Sequence, residues 1–166
     1  MPADPVIGDA LYRELRRLAR ARLRQGGRNT LLDTRVLVHE AYLRMADAGV
    51  TDPRQWLAYA SRAMRSVIVD MARRRHAERH GGDALVVTWT EALQVGAPAP
   101  ADEVLRLHEA LDELAQLDPR LAQVVEMRYF AGLDDAQIAA ALGVTDRTVR
   151  RDWNKARRIL GAALAR

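Results

Sequence analysis

Cysteine is absent from this 166-residue chain, which excludes disulfides, thiolate zinc sites, iron–sulfur clusters and thiol nucleophiles. Lysine is almost absent too: Lys155 stands alone, so 25 of the 26 basic residues are arginine. No apolar stretch approaches the roughly 20 residues that a membrane-spanning helix needs, and the N-terminus lacks the cations followed by an apolar run that mark a secretory signal. The chain therefore reads as soluble and cytoplasmic, without membrane insertion. No glycine-rich phosphate cradle occurs, and no Ser-His-Asp arrangement has local support. What is present is 49% hydrophobic residues, enough for one ordinary domain or two small ones. The charged residues are balanced in sign, which argues against wholesale disorder.

The formal net charge of +4 conceals an uneven distribution. Residues 1–82 hold 16 arginines against nine acids, a net +7. Residues 83–103 hold no cation and four acids (Asp83, Glu91, Asp102, Glu103), with Gly96, Pro98 and Pro100 among small residues. Residues 104–166 are net +1, yet their last 21 positions hold seven cations against two acids. This predicts two helical domains, 1–82 and 104–166, joined by an acidic, partly extended linker over 83–103.

Helical periodicity runs through both flanks. Leu11, Leu15, Leu18 and Leu23 predict a helix over about 6–25, stopped by Gly26-Gly27. Thr34 is suited to cap a second helix to about residue 47, whose apolar residues point to most sides, so it is central to its module or meets a partner. A third helix is expected from Pro53 to about His76. Trp56, Ala60, Met64, Val67, Ile68 and Met71 form its buried stripe, with Arg62, Arg65, Val69 and Arg73 on another face. After the linker, Val104, Leu107, Leu111, Leu114 and Leu117 mark a fourth helix. Asp118-Pro119 opens a fifth that runs towards Gly132, and two more follow over about 134–142 and 146–164. Strand alternation is missing; Leu85 to Thr88 is too short to count. The predicted fold class is all-α.

The most informative stretch is DAQIAAALGVTDRTVRRDWN, Asp135 to Asn154. A helix-turn-helix needs a small residue where its helices cross, a residue tolerant of positive φ in the turn, and an apolar residue locking the second helix onto the first. Ala139, Gly143 and Val149 meet these needs in register, Ile138, Leu142 and Val144 fill the core, and Thr145 caps the second helix. An ordinary helical hairpin with a glycine turn is the competing reading. On the second helix Val149, Trp153, Ala156, Leu160 and Ala163 should face inwards, which makes Trp153 a packing residue. Arg147, Thr148, Arg150, Arg151, Asn154 and Arg157 are the candidate DNA contacts, able to read guanine or adenine edges or to hold phosphate.

In the amino-terminal half, Arg62, Arg65, Ser66, Arg73 and Arg74 are the matching candidates, able to follow a phosphate backbone; a solvated helix end is the alternative for the arginine run. Trp56 and Tyr59 could stack on unpaired bases, but Trp56 suits the core better. His76, Glu78 and His80 form H-A-E-R-H, which differs from the H-E-x-x-H metal signature and sits among arginines that repel a cation. Asp134-Asp135 suits a helix N-terminus better than a catalytic carboxylate pair. Neither catalytic residues nor a metal site nor a cofactor is expected, and the chain does not read as an enzyme.

These residues carry a resemblance. LDPR (Leu117–Arg120), VVEMRYFAGL (Val124–Leu133), IAAALGV (Ile138–Val144), RTVRRDW (Arg147–Trp153) and KARRIL (Lys155–Leu160) together resemble domain four of the small, two-domain extracytoplasmic-function class of bacterial sigma factors. TLLDTRVLVHEAYLRM (Thr30–Met45) is similar to the family's region-two helix that docks on polymerase, and WLAYASRAMRSVIVDMARRR (Trp56–Arg75) to the helix that engages the minus-10 element. The Leu-Val-His-Glu-Ala-Tyr-Leu-Arg string suggests the ECF-like subgroup.

The resemblance implies a sigma factor of the sigma-70 family. Such a protein binds the clamp of the largest polymerase subunit and the flap of the second-largest, recognises minus-10 and minus-35 promoter DNA, and is in some cases held by an anti-sigma factor. It places polymerase contacts at Leu37, His39, Glu40, Tyr42, Leu43 and Arg44. The linker would thread through polymerase near the RNA path. Val36 and His39 depart from the family's Asp-Leu-Val-Gln-Glu string, and the loop Asp47–Pro53, which in the family captures a flipped base, lacks an aromatic. Two other readings compete. A stand-alone helix-turn-helix regulator lacks a phospho-acceptor or ligand-pocket pattern in residues 1–80, and a helical nucleic-acid enzyme lacks an acid or metal cluster.

Overall fold

The periodicity becomes six α-helices and one π-helical turn in a computed structural model, which describes residue 13 and residues 34–50, 52, 55–78 and 101–165. These are α1 (Thr34–Asp47), α2 (Trp56–Glu78), α3 (Ala101–Leu117), α4 (Pro119–Val125), the π turn (Glu126–Phe130), α5 (Asp135–Leu142) and α6 (Asp146–Leu164). No strand occurs among the described residues. The helix expected over 6–25 and the linker up to residue 100 fall outside them, apart from Arg13, which is helical.

Boundaries follow local chemistry. Asp118 caps α4 by accepting from the Leu121 N–H at 3.3 Å, with Pro119 in the first turn, where its missing N–H costs nothing. The Asp134 side chain accepts from the Gln137 N–H at 2.8 Å while Gln137 Oε1 accepts from the Asp134 N–H at 3.0 Å, a capping box that opens α5. Thr145 caps α6 through the Thr148 N–H at 3.2 Å. The third helix of the sequence reading starts at Trp56 rather than Pro53. Helix α3 begins at Ala101, earlier than expected, so Asp102 and Glu103 belong to its first turn. Carboxylates there are favoured by the partial positive charge of the helix start, which explains why the linker's last acids become helical.

The continuous fifth helix expected to Gly132 is instead α4 followed by the π turn. Hydrogen bonding at i→i+5 widens that turn, and Glu126, Met127, Tyr129 and Phe130 are all buried in it. Tyr129 and Phe130 meet edge to face, with ring centres 4.8 Å apart.

Leu37, Val38, Ala41 and Met45 of α1 pack on Ala60, Ala63, Met64, Val67 and Ile68 of α2. Trp56 and Met71 are only partly buried, at the margin of the same stripe. Val69, read from the sequence onto the arginine face, is buried at 2% exposure. Around Arg65 and Val69 that face is covered, because α2 also packs on α3 and the π turn, while Arg62 and Arg73 stay exposed. Behind them, Val104, Leu107, Leu111 and Leu114 meet Leu121, Val124, Ile138, Val149, Trp153, Ala156 and Leu160, so one apolar interior runs through both groups of helices. Leu117 leaves its stripe at the end of α3 and is 82% exposed. The inward row of α6 continues from Leu160 to Leu164, four residues on, leaving Ala163 exposed rather than facing the core as expected.

Gly143 terminates α5 with φ 67° and ψ 34°, and no atom would meet a Cβ there within 4 Å. Its replacement therefore tests backbone strain alone. Gly143→Ala is expected to lower unfolding free energy by about 1–2 kcal/mol, the usual cost of a left-handed L-residue, and Asp134→Ala by about 1 kcal/mol through loss of its cap. Urea denaturation followed by far-ultraviolet circular dichroism checks both.

Candidate nucleic-acid interface

Helix α6 has two chemically opposite sides. Val149, Trp153, Ala156 and Leu160 face inwards, and Arg147, Arg150, Arg151, Asn154, Lys155 and Arg158 are exposed. The left-handed turn at Gly143 sets α6 against α5, with the Val144 N–H donating to the Ala139 carbonyl at 3.1 Å and Ala139 buried at the crossing. Ala139 and Val149 are buried and Gly143 takes a left-handed conformation. The leading turns of α6 present a basic surface that can enter a DNA groove.

Of the candidate contacts on α6, Arg147, Arg150, Arg151 and Asn154 are exposed. Thr148 is half-buried, its hydroxyl 3.0 Å from that of Thr145. Arg157 is half-buried close enough to Arg128 to oppose its charge. Two carboxylates steady this surface from beneath. Asp152, at 3% exposure, accepts from Arg120 Nε at 2.7 Å and lies 3.5 Å from Arg151 Nε, tying α6 to the start of α4. Asp135 pairs with Arg128 of the π turn and lies 3.7 Å from Arg150. Arg128 stacks over Trp153, 4.8 Å from the ring centre, so the indole is held as packing. Burial pushes the Arg128 guanidinium below its ordinary value, against the pull of Asp134.

The amino-terminal candidates divide. Arg62, Arg73 and Arg74 are exposed on α2, with Arg73 3.5 Å from Asp70. Ser66 accepts a hydrogen bond from Arg44, which also pairs with Asp70 at 2.6 Å and so locks α1 to α2. Arg65 is turned away from solvent. Its Nε donates to His108 Nδ1 at 3.1 Å, and its two terminal nitrogens reach the His108 carbonyl at 2.8 Å, Asp112 at 2.7 Å and Glu126 at 3.2 Å. Of the polymerase candidates, His39 and Leu43 are exposed and Glu40, Tyr42 and Arg44 half-exposed. Leu37 is fully buried and serves the core. His76 of the HAERH string meets Asp102 at 2.5 Å, whereas His80 lies outside the described residues. No group of metal-ligating side chains occurs among the described residues, and none of their helices is long and apolar enough to cross a membrane.

Glu126, His108 and Asp112 escaped the sequence reading. The available signal was Glu126 itself, a lone carboxylate among Val124, Val125, Met127, Tyr129 and Phe130, which requires a partner once buried. Burial pushes its carboxyl above the ordinary 4.5, with Asp112 adding to the rise and Arg65 and Arg62 opposing it. Burial and Arg65 hold the His108 imidazole below its ordinary value. A neutral ring suits the geometry: Nδ1 accepts from Arg65 while Nε2 lies 3.7 Å from Asp112.

The family model described as ECF sigma factor matches residues 3–166. The chain belongs to that family and is a sigma factor of the sigma-70 class, acting in transcription initiation. ECF sigma factors work with core RNA polymerase and promoter DNA, often under anti-sigma factors, and are initiation factors rather than enzymes. No curated protein and no solved structure matches the chain.

The raised Glu126 carboxyl carries a pH signature. A folded state that holds a proton more tightly than the unfolded chain loses stability as pH rises from the ordinary 4.5 through the raised value. Glu126→Gln removes that loss. The stability of wild type minus that of the variant should therefore fall as pH rises through this window and be level below it, as read from urea unfolding across pH 4 to 8.

Proposed function

We propose that this sigma factor binds core RNA polymerase through α1 and the α4 region and directs it to promoters by reading two DNA elements. Helix α6 enters the major groove of the minus-35 element, and α2 engages the minus-10 element with Arg62, Arg65, Ser66, Arg73 and Arg74. In this reading residues 1–82 and 104–166 act as two domains on one DNA, joined by the acidic linker. The observation that carries it is α6, which buries Val149, Trp153, Ala156 and Leu160 on one side and exposes arginines on the other.

On α1 the surface for the polymerase clamp is His39, Glu40, Tyr42, Leu43 and Arg44, with Leu43 44% exposed. Leu37 supports that surface from the core. The flap of the second-largest subunit is the partner assigned to the α4 region. A cytoplasmic location goes with these partners.

Purified protein added to core polymerase should yield promoter-dependent transcripts from genomic fragments; binding to core with no transcript from any fragment would sink the proposal. Arg150→Ala and Arg151→Ala should each weaken binding of the holoenzyme to promoter DNA. Loss of a base contact costs about 1–3 kcal/mol and relaxes sequence preference, whereas loss of a phosphate contact is uniform across sequences and lowers the salt slope by about one. Filter binding to a panel of promoter variants at several salt concentrations distinguishes the two.

A further inference from the structure

Arg150 and Arg151 are neighbours on the exposed part of α6, yet different atoms of each are held. Arg151 is 71% exposed, and its Nε lies 3.5 Å from Asp152 Oδ1. The contact is made through Nε, so it occupies neither terminal nitrogen. Asp152 is itself fixed: it is buried, and its other oxygen accepts from Arg120 Nε of α4 at 2.7 Å. Arg150 meets its carboxylate differently. Its terminal Nη1 lies 3.7 Å from Asp135, and Asp135 also pairs with Arg128.

Guanine offers O6 and N7 side by side in the major groove, and two N–H groups of one guanidinium satisfy both. A long side chain gives up rotamer freedom to make that pair of bonds. A fixed anion at Nε restricts the guanidinium before DNA arrives, and preorganisation of this kind lowers the cost of binding. An acid near the DNA backbone also repels phosphate. Beneath a DNA-facing arginine it therefore serves selection between bases better than affinity for any duplex.

We propose that Asp152 is a positioning residue for sequence selection: pinned by Arg120, it holds Nε of Arg151 so that the terminal nitrogens pair with O6 and N7 of one guanine in the minus-35 element, while Arg150 takes a phosphate. The proposal rests on α6 being the minus-35 reader. Asp152 touches no base and acts through Arg151. Arg120 is 46% exposed, so removing the Asp152 charge leaves a cation that water can reach rather than a buried, unpaired one. Asp152→Asn keeps the shape of the side chain and is the variant of choice.

Holoenzyme made from core polymerase and each variant chain is titrated against promoter DNA changed at every minus-35 base pair in turn. A second set of duplexes carries 7-deazaguanine, which lacks the N7 acceptor, at each guanine. Arg151→Ala should lose about fivefold or more of the preference for one G·C pair, the low end of what a bidentate contact is worth, and become indifferent to 7-deazaguanine there. Arg151→Lys keeps the charge but lacks the fork, and should lose the same preference. Asp152→Asn should lose part of it at the same pair, and should change nothing further when Arg151 is already alanine. Arg150→Ala should weaken binding to all duplexes by one factor and lower the salt slope by about one. The assignment would be overturned by a uniform loss in R151A, by guanine preference that follows Arg150 instead, or by D152N acting without Arg151 or not acting with it; each of these leaves α6 as the reader. If neither R150A nor R151A weakens promoter binding, the reading of α6 falls and the role of Asp152 with it.

Discussion

A guanidinium withdrawn from water must be surrounded by acceptors, and the packing of α2 against the carboxy-terminal helices is organised around that demand at Arg65. Asp112 and the His108 carbonyl come from one turn of α3, and Glu126 from the π turn. An α-helical continuation of α4 would give the segment a different pitch, moving Glu126 relative to Met127, Tyr129 and Phe130, which are buried beside it. The unusual turn, the buried carboxylate and the neutral histidine are thus parts of one solution: a cation held inside by several partial and full negative charges, flanked by apolar surface that excludes competing water.

Helix α6 answers a different constraint. It must be anchored firmly enough to present its outer side in a fixed orientation, yet keep that side free of competing carboxylates. The anchor is apolar, through Val149, Trp153, Ala156 and Leu160, and the acids that touch its arginines lie at the edge or beneath: Asp152 is buried under Arg151, and Asp135 sits between Arg128 and Arg150. Each pair joins a buried or half-buried carboxylate to an arginine. Their consequence is orientation, because they restrict the directions in which the guanidinium groups can point.

Where a residue's role depends on neighbours along the chain, the sequence was legible. The caps at Asp118 and Thr145, the left-handed Gly143, and the inward Val149 and Trp153 all follow from local spacing and turn chemistry. The matches to the family's motifs also lie along the chain, and the family model covers nearly all of it. Leu37 and Arg65 were read less well. Both lie on helix faces that periodicity describes as faces but cannot match to a partner, so Leu37 was left between core and polymerase contact, and Arg65 was read towards phosphate. Ala163 and Leu117 err the other way: the inward row of α6 steps from Leu160 to Leu164, and Leu117 stands exposed at the end of α3.

The sequence by itself determined the helical class, the caps at Asp118 and Thr145, the left-handed Gly143 and the concentration of arginine on α6, because each rests on interactions within a few residues. Tertiary structure decided which arginines remain available. Arg147, Arg150 and Arg151 keep their water, while Arg65 gives it up to residues 43 to 61 positions away. Hydration of a charge depends on everything that approaches it in space, and no pattern along the chain records that approach.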